Sequence, residues 1–227
     1  MNIAEIIRNG IPKVGEAYMS DKKVVVKANI MSDNILYDYS LPTAQKYQVI
    51  GYGDCYGDLT IHVVTDNFKT LKIEKYPISN FLSMKLKKMA PFINETSIKK
   101  TNLMEKNKFY LNPYGILYTY SDRCSLLVNG MSFTVIRQRL ETLKGDNREY
   151  EITDIKEIKK ILEKQRKYHD ALSVFYVGGE NCFDKLMKKS INDLLDNYYV
   201  RFASSFLMNK VLTYKLLEIV EKMSNNL

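Results

Sequence analysis

Tryptophan is absent from this 227-residue chain, histidine occurs twice, cysteine three times and proline five times. Each scarcity excludes something. Cys55, Cys124 and Cys182 stand far apart, with no C-x-x-C pair. That spacing argues against a disulfide framework or a cysteine-based zinc site, and fits a reducing, cytoplasmic compartment. His62 and His169 have no nucleophile and orienting group at motif spacing, so both read as structural histidines. No apolar run approaches the roughly 18–20 residues that cross a bilayer, so no membrane span is expected. The opening MNIAEIIRNG carries Glu5 inside its short apolar stretch and no small-residue cleavage site, so no signal peptide is expected. A Walker A loop, a dinucleotide-binding fingerprint, H-E-x-x-H and G-x-S-x-G are missing as well. The chain therefore reads as non-enzymatic, with no cofactor and no metal.

What is present is charge of one sign in one place. Residues 82–108 hold Lys85, Lys87, Lys88, Lys99, Lys100, Lys106 and Lys108 against Glu95 and Glu105, which is +5 of the formal +8. Residues 1–81 balance nine bases with nine acids, 109–153 balance five with five, and 154–227 supply the remaining +3. A basic segment between neutral blocks points to a contact site. Lysine outnumbers arginine 27 to 7, which also suits coding in a low-GC genome such as that of a phage. With 45% hydrophobic and 26% charged residues, the composition is that of a globular α+β protein.

The order of patterns divides the chain into four parts. Over residues 1–81, Lys22–Ile30, Lys46–Tyr52, Leu59–Thr65 and Leu71–Tyr76 read as strands, joined by the GDCYGD turn and by Asp66-Asn67. The polar stretch MSDNILYDYSLPTAQ reads as an inserted loop. Within KYQVIGYGDCYGDLTIHVVTDNFKTLKIEKYPISNF the succession of strand, Gly/Asp turn, strand, Asp-Asn turn and strand resembles an SH3-like small β-barrel. The resemblance covers about residues 13–81 and implies a module that binds proteins or nucleic acids. Residues 82–108 are predicted as a basic amphipathic helix (Phe81–Met89) followed by a connector. Residues 109–153 are predicted as a four-stranded antiparallel meander, with Asn129-Gly130 as its hairpin turn and Arg148–Thr153 as its returning strand. Residues 154–227 are predicted as a helical hairpin or bundle, opened by an Asp154/Glu157 capping box.

Three groups of side chains are candidates for function. The seven lysines of 82–108, with Lys156, Lys160, Lys164 and Lys167 at helical spacing, would contact nucleic-acid phosphates. Tyr110, Tyr114, Tyr118 and Tyr120 would stack bases or line an interface. Phe202, Phe206, Val211 and Tyr214 would form an oligomer or partner face. The expectation is an adaptor that binds nucleic acid or a nucleic-acid enzyme through the basic segment, with a protein partner or homo-oligomer. A structural or assembly protein is the alternative. A metal-dependent hydrolase built on Asp54, Asp58 and Glu74 is a third, although aspartate is favoured at turns for its own hydrogen bonds.

Overall fold

The β-rich half of the chain folds into two antiparallel sheets, and the last third packs helices on one of them. The computed structural model describes residues 10–32, 35–67, 71–101, 104–119, 125–129, 132–136, 150–173, 180–195 and 206–225, with 21–43 given by backbone alone. The first sheet has the order β4-β3-β2-β1-β5, where β1 is Ala17–Ser32, β2 Ile35–Cys55, β3 Asp58–Asp66, β4 Leu71–Pro77 and β5 Leu86–Met89. A short helix, α1 (Ile78–Ser83), lies between β4 and β5 in the chain. The second sheet runs β10-β9-β8-β7-β11-β6, with β6 Ile98–Lys100, β7 Phe109–Asn112, β8 Gly115–Thr119, β9 Ser125–Asn129, β10 Ser132–Ile136 and β11 Tyr150–Ile152. Three longer helices follow: α2 (Ile155–Ser173), α3 (Glu180–Met187) and α4 (Phe206–Asn225).

The α+β class is as the sequence predicts, but the first sheet does not close into an SH3-like barrel. Among the described residues its margins, β4 and β5, pair with β3 and β1 only. The reason lies in β1 and β2. The predicted inserted loop is strand: Lys23 to Ser32 pairs rung by rung with Ala44 to Ile35. The predicted basic helix over Phe81–Met89 is also overturned. Helix α1 stops at Ser83, Met84 turns to an extended backbone (φ −68°, ψ 138°), and Leu86–Met89 pairs with Ala17–Ser20. Pairing to a waiting strand overrides the helical spacing of four apolar residues.

The turn between β2 and β3 follows from its sequence. Cys55 pairs with Asp58, leaving Tyr56 and Gly57 at φ 56° and 86° as a two-residue turn. Both positive φ angles match the twist of the flanking strands. The Gly57 N–H donates to Asp54 Oδ1 at 3.0 Å, which holds the turn.

Three clusters form the core. The largest joins Val64 and Ile73 of the first sheet, Phe109, Leu111 and Leu126 of the second, Ile158 and Leu162 of α2, and Val211, Leu216 and Val220 of α4. The opposite face of the first sheet carries Tyr47, Val49, Ile61 and Val63 beneath Phe81 of α1. The opposite face of the second sheet carries Tyr110, Leu117 and Leu127, with Met104 against them.

The second sheet is larger than the predicted meander. Strand β11 does not return beside β10; it inserts between β7 and β6. Strands β9 and β10 pair antiparallel as predicted, from Ser125↔Ile136 to Asn129↔Ser132, and Gly130 of the predicted turn lies outside the described residues. At the start of α2, Asp154 Oδ1 accepts the Lys156 N–H at 2.8 Å, the N-cap contact that satisfies a first-turn donor. Ser190 and Asp193 cap each other across the helical turn at 191–195, with Asp193 N donating to Ser190 Oγ at 3.1 Å and Ser190 N to Asp193 Oδ2 at 3.3 Å.

Candidate functional site

The segment predicted as a basic connector is fastened to both sheets. Lys85, Lys87 and Lys88 are exposed on or beside β5, one margin of the first sheet. Lys99 and Lys100 are exposed on β6, one margin of the second. Between them, Gln48 of β2 holds the chain as it crosses. Its Oε1 accepts the N–H groups of Phe92 (2.9 Å) and Ile93 (2.8 Å), and its Nε2 donates to the Ile93 carbonyl (2.6 Å). Gln48 is buried, so these three bonds replace water for every polar group of one amide. The lysines thus lie on margins of two sheets rather than on one continuous helix.

Part of the charge is matched at close range. Lys88 Nζ lies 2.6 Å from Glu16 Oε1. Hydrogen bonds from Lys88, from the Tyr18 hydroxyl and from the Lys13 N–H hold the Glu16 carboxyl down to about 2. Lys108 Nζ sits 3.2 Å from both Glu105 and Glu151, and those hydrogen bonds raise its pKa. Lys106 is exposed in the same loop. On α2, Lys156, Lys160 and Lys167 are exposed, and Lys160 approaches Glu157 at 3.9 Å. Lys164 departs from the expected solvent stripe. It is half-buried, and desolvation lowers its pKa while Asp66 opposes that effect.

The tyrosines divide differently from expectation. Tyr110 and Tyr118 are buried and belong to the core, so they do not offer faces to bases. The Tyr110 hydroxyl accepts the Glu105 N–H at 2.6 Å, and Thr119 donates to the Glu105 carbonyl at 2.7 Å. Aromatic residues beside the lysines therefore anchor the loop that carries Lys106 and Lys108. Tyr114 is exposed at 65% in the β7–β8 turn. Tyr120 and Phe202 lie outside the described residues.

The expected partner face on the last helix is inter-helix packing. Val211 is fully buried, and the Phe206 ring meets His169 of α2 at 5.1 Å. The Tyr214 hydroxyl donates to Asp170 at 2.8 Å, its ring packs edge-on against Phe183 of α3 at 5.4 Å, and Lys210 pairs with Asp170 at 3.3 Å. Desolvation and the Asp170 bond push the Tyr214 hydroxyl up to about 12. These contacts tie α2, α3 and α4 together.

The carboxylates do not converge. Asp54 serves the β2–β3 turn, and Glu74 pairs with Lys72 and accepts from the Tyr76 hydroxyl. Among the described residues no three His, Cys, Asp or Glu side chains come together as a ligand set.

Two buried histidines differ in kind. His62 joins the sheets: its Nδ1 lies 2.6 Å from the Tyr150 hydroxyl and its Nε2 3.2 Å from Thr60 Oγ1. Thr60 donates its own proton to the Gly53 carbonyl at 3.1 Å. Nε2–H therefore donates to Thr60, and Nδ1 accepts from Tyr150. A side chain at Gly53 would meet the His62 ring at 2.7 Å, and one at Gly51 the Tyr150 hydroxyl at 2.9 Å. His169, in contrast, has no hydrogen-bond partner for either ring nitrogen among the described residues, and burial lowers its pKa to about 4.

Sequence reasoning missed one large feature. Beyond Ser20 of β1 and Lys46 of β2, among the described residues the two strands pair only with each other, over the ten rungs from Lys23↔Ala44 to Ser32↔Ile35. Strand β5 reaches only Ala17–Ser20, and β3 begins its pairing at Lys46. Among the described residues no helix is long and apolar enough to cross a membrane. The chain matches no family model, no curated protein and no solved structure.

Proposed function

We propose that this chain is a non-enzymatic assembly protein whose β1–β2 ribbon docks on another protein chain. The observation that carries this reading is the length of strand pairing that continues past the sheet. An isolated two-stranded ribbon is marginally stable in water, so ten rungs of it gain from a partner. The body beneath has two sheets, three core clusters and helices fastened by Asp170, a rigid platform for such an arm. Exposed, unpaired Cys55 and Cys182 suit the reducing cytoplasm, the location we assign to it. The test replaces residues 24–43 by Asn-Gly and follows native complexes by size exclusion after gentle lysis of the host. The shortened chain is expected to keep its melting temperature and to elute alone, while the full chain elutes in a larger particle. Co-elution of the shortened chain with the same particle overturns the reading.

A second reading, contact with nucleic acid, is favoured by the exposure of Lys85, Lys87, Lys99, Lys100 and Lys106 at the sheet margins. Lysines at sheet edges also oppose edge-to-edge pairing with other chains, a role that needs no polynucleotide. A fluorescent oligonucleotide titrated over a salt series separates the two. If phosphates are contacted, binding weakens steeply with salt, and each lysine changed to glutamine lowers the log–log slope by about 0.7–0.9. Absence of binding at low ionic strength leaves edge protection as the role of these lysines.

A further inference from the structure

We infer that the outer edge of β1, from Lys23 to Ser32, takes up an extended acidic segment of another protein as an added strand. The inference rests on the docking role proposed above and names the edge used and the chemistry of the partner. Pro42 decides which main-chain groups face outward. It stands opposite Val25 and has no N–H to give across the ribbon. In an antiparallel pair, rungs that exchange two hydrogen bonds alternate with rungs that exchange none. Val25↔Pro42 is a rung of the second kind, with the proline nitrogen turned away from β1. Counted from that rung, Lys23, Val25, Lys27, Asn29 and Met31 direct their N–H and C=O groups away from β2. Among the described residues no strand meets them. The outer edge of β2 lacks a donor at Pro42, so β1 offers the unbroken row.

Strand β5 fills the same edge of β1 at Ala17–Ser20, and the register between β1 and β2 shifts between Met19 and Lys23. An irregularity of this kind bends a strand and ends pairing, so the edge beyond it is a separate station. At about 3.3 Å per residue, Lys23–Ser32 extends roughly 33 Å and accommodates a segment of about ten residues. An added strand brings donors and acceptors in alternation, as this edge requires. Phosphates bring acceptors and would leave the edge carbonyls unmet, which argues against nucleic acid. Charge then selects among proteins. Residues 21–32 hold Lys22, Lys23 and Lys27 against Asp21, and residues 35–44 hold Asp38 alone. Lys85 and Lys87 are exposed beside and on β5, the strand that shares this edge. A second copy would set its own lysine-bearing β1 against this one, like charge against like in a chain of net +8. Lysines on an edge oppose a basic or neutral strand in the same way, and attract one rich in glutamate or aspartate.

Amide exchange on the full chain at low salt tests this, with the acetylated peptide Glu-Val-Glu-Val-Glu-Val-Glu-Val-Glu as the probe. In the free chain the amides of Val24, Val26, Ala28 and Ile30 are expected to exchange more slowly than those of Lys23, Val25, Lys27, Asn29 and Met31. The peptide is expected to slow the second set at least about tenfold, and the peptide with lysine for glutamate to leave it unchanged. Val25→Pro removes one outward N–H and is expected to abolish the slowing, whereas Ser40→Pro, on the outer edge of β2, is expected to keep it. The triple variant Lys22→Glu/Lys23→Glu/Lys27→Glu leaves the main chain intact and is expected to reverse the preference between the two peptides. Equal slowing by both peptides, or by neither, overturns the inference. So does slowing of the outward amides in the pure chain as its concentration rises, which makes the occupant a second copy. Slowing by oligothymidylate and not by the acidic peptide makes it a nucleic acid and overturns the inference too. The chain shortened at residues 24–43 separates this inference from the reading beneath it. If it elutes alone while neither peptide acts, docking stands and the acidic partner falls; if it co-elutes with the native particle, the docking role falls as well.

Discussion

Gln48 does with one side chain what a stretch of strand would otherwise do. It occupies two N–H groups and one carbonyl of residues 92–93, inside the protein. Gln48→Ala orphans the buried N–H and carbonyl of Ile93 and the half-buried N–H of Phe92, and with about 1–3 kcal/mol for each buried group a loss of at least ~2 kcal/mol is expected in urea unfolding. Gly53→Ala acts through sterics, because its Cβ would press on a histidine ring held from both sides. Gly51→Ala is expected to cost less, since its Cβ would meet a single terminal hydroxyl. Tyr56 is a stabilisation site: it is fully exposed and sits at φ 56°, where an L-residue loses roughly 1 kcal/mol and asparagine loses less. Tyr56→Asn is expected to raise the melting temperature by a few degrees in calorimetry. His169 sets an acid limit. Its ring is held neutral between α2 and α4, with Asp170 favouring and Lys210 opposing protonation. The folded pKa of about 4 lies below the ordinary histidine value of 6.5. The unfolded chain therefore binds the extra proton first, so stability is intact above pH 6.5 and falls as pH drops towards 4. The loss is on the order of 3 kcal/mol. His169→Met is expected to flatten that slope in unfolding measured between pH 7 and 4. The acid loss attached to Glu16 comes lower, between the ordinary carboxylate range and about 2.

At the scale of elements, α1 is the most exposed to a single change. Only Phe81 of its six residues is buried, against Tyr18, Tyr47 and Tyr76 at ring separations of 5.9–6.1 Å. Phe81→Ala is expected to cost about 3–5 kcal/mol and to loosen β5, which follows α1 directly, as read by hydrogen exchange at Leu86–Met89. Why some elements were legible and others not has local causes. Strands β3 and β4 and the turn before β3 are written in Val, Ile, Gly and Asp, and helices α2 to α4 in 3.6-residue spacing. The distal part of β2 was read as a loop, although Ile35, Tyr37, Tyr39 and Leu41 stand at every second position. Pro42 and the polar content argued for a loop, and an edge position tolerates both. Strands β5 and β6 were not legible. They are four and three residues long, rich in lysine, and take their form from β1 and β11 rather than from their own composition. For the same reason the lysine cluster could be counted in the sequence, but its division between two sheets could not. The tyrosines near it look alike in sequence; strand pairing alone separates buried Tyr110 and Tyr118 from exposed Tyr114.

At the scale of the molecule, the two sheets meet at the His62–Tyr150 contact, and the basic segment runs from the margin of one to the margin of the other. Tyr150→Phe removes the 2.6 Å bond and is expected to cost about 1–2 kcal/mol in thermal unfolding, with both sheets still formed by circular dichroism. The residue that makes this contact belongs to β11, and β11 has a second consequence. Among the described residues, strand β6 finds its one neighbour some fifty residues further along the chain, and β7 finds its second neighbour in the same place. During synthesis, residues 98–112 are made well before residue 150 exists, so β6 and β7 wait on a later part of the chain for their pairing with β11. Such non-local pairing forms late and leaves strand edges open on the way, so refolding from denaturant is expected to yield more soluble protein as concentration is lowered.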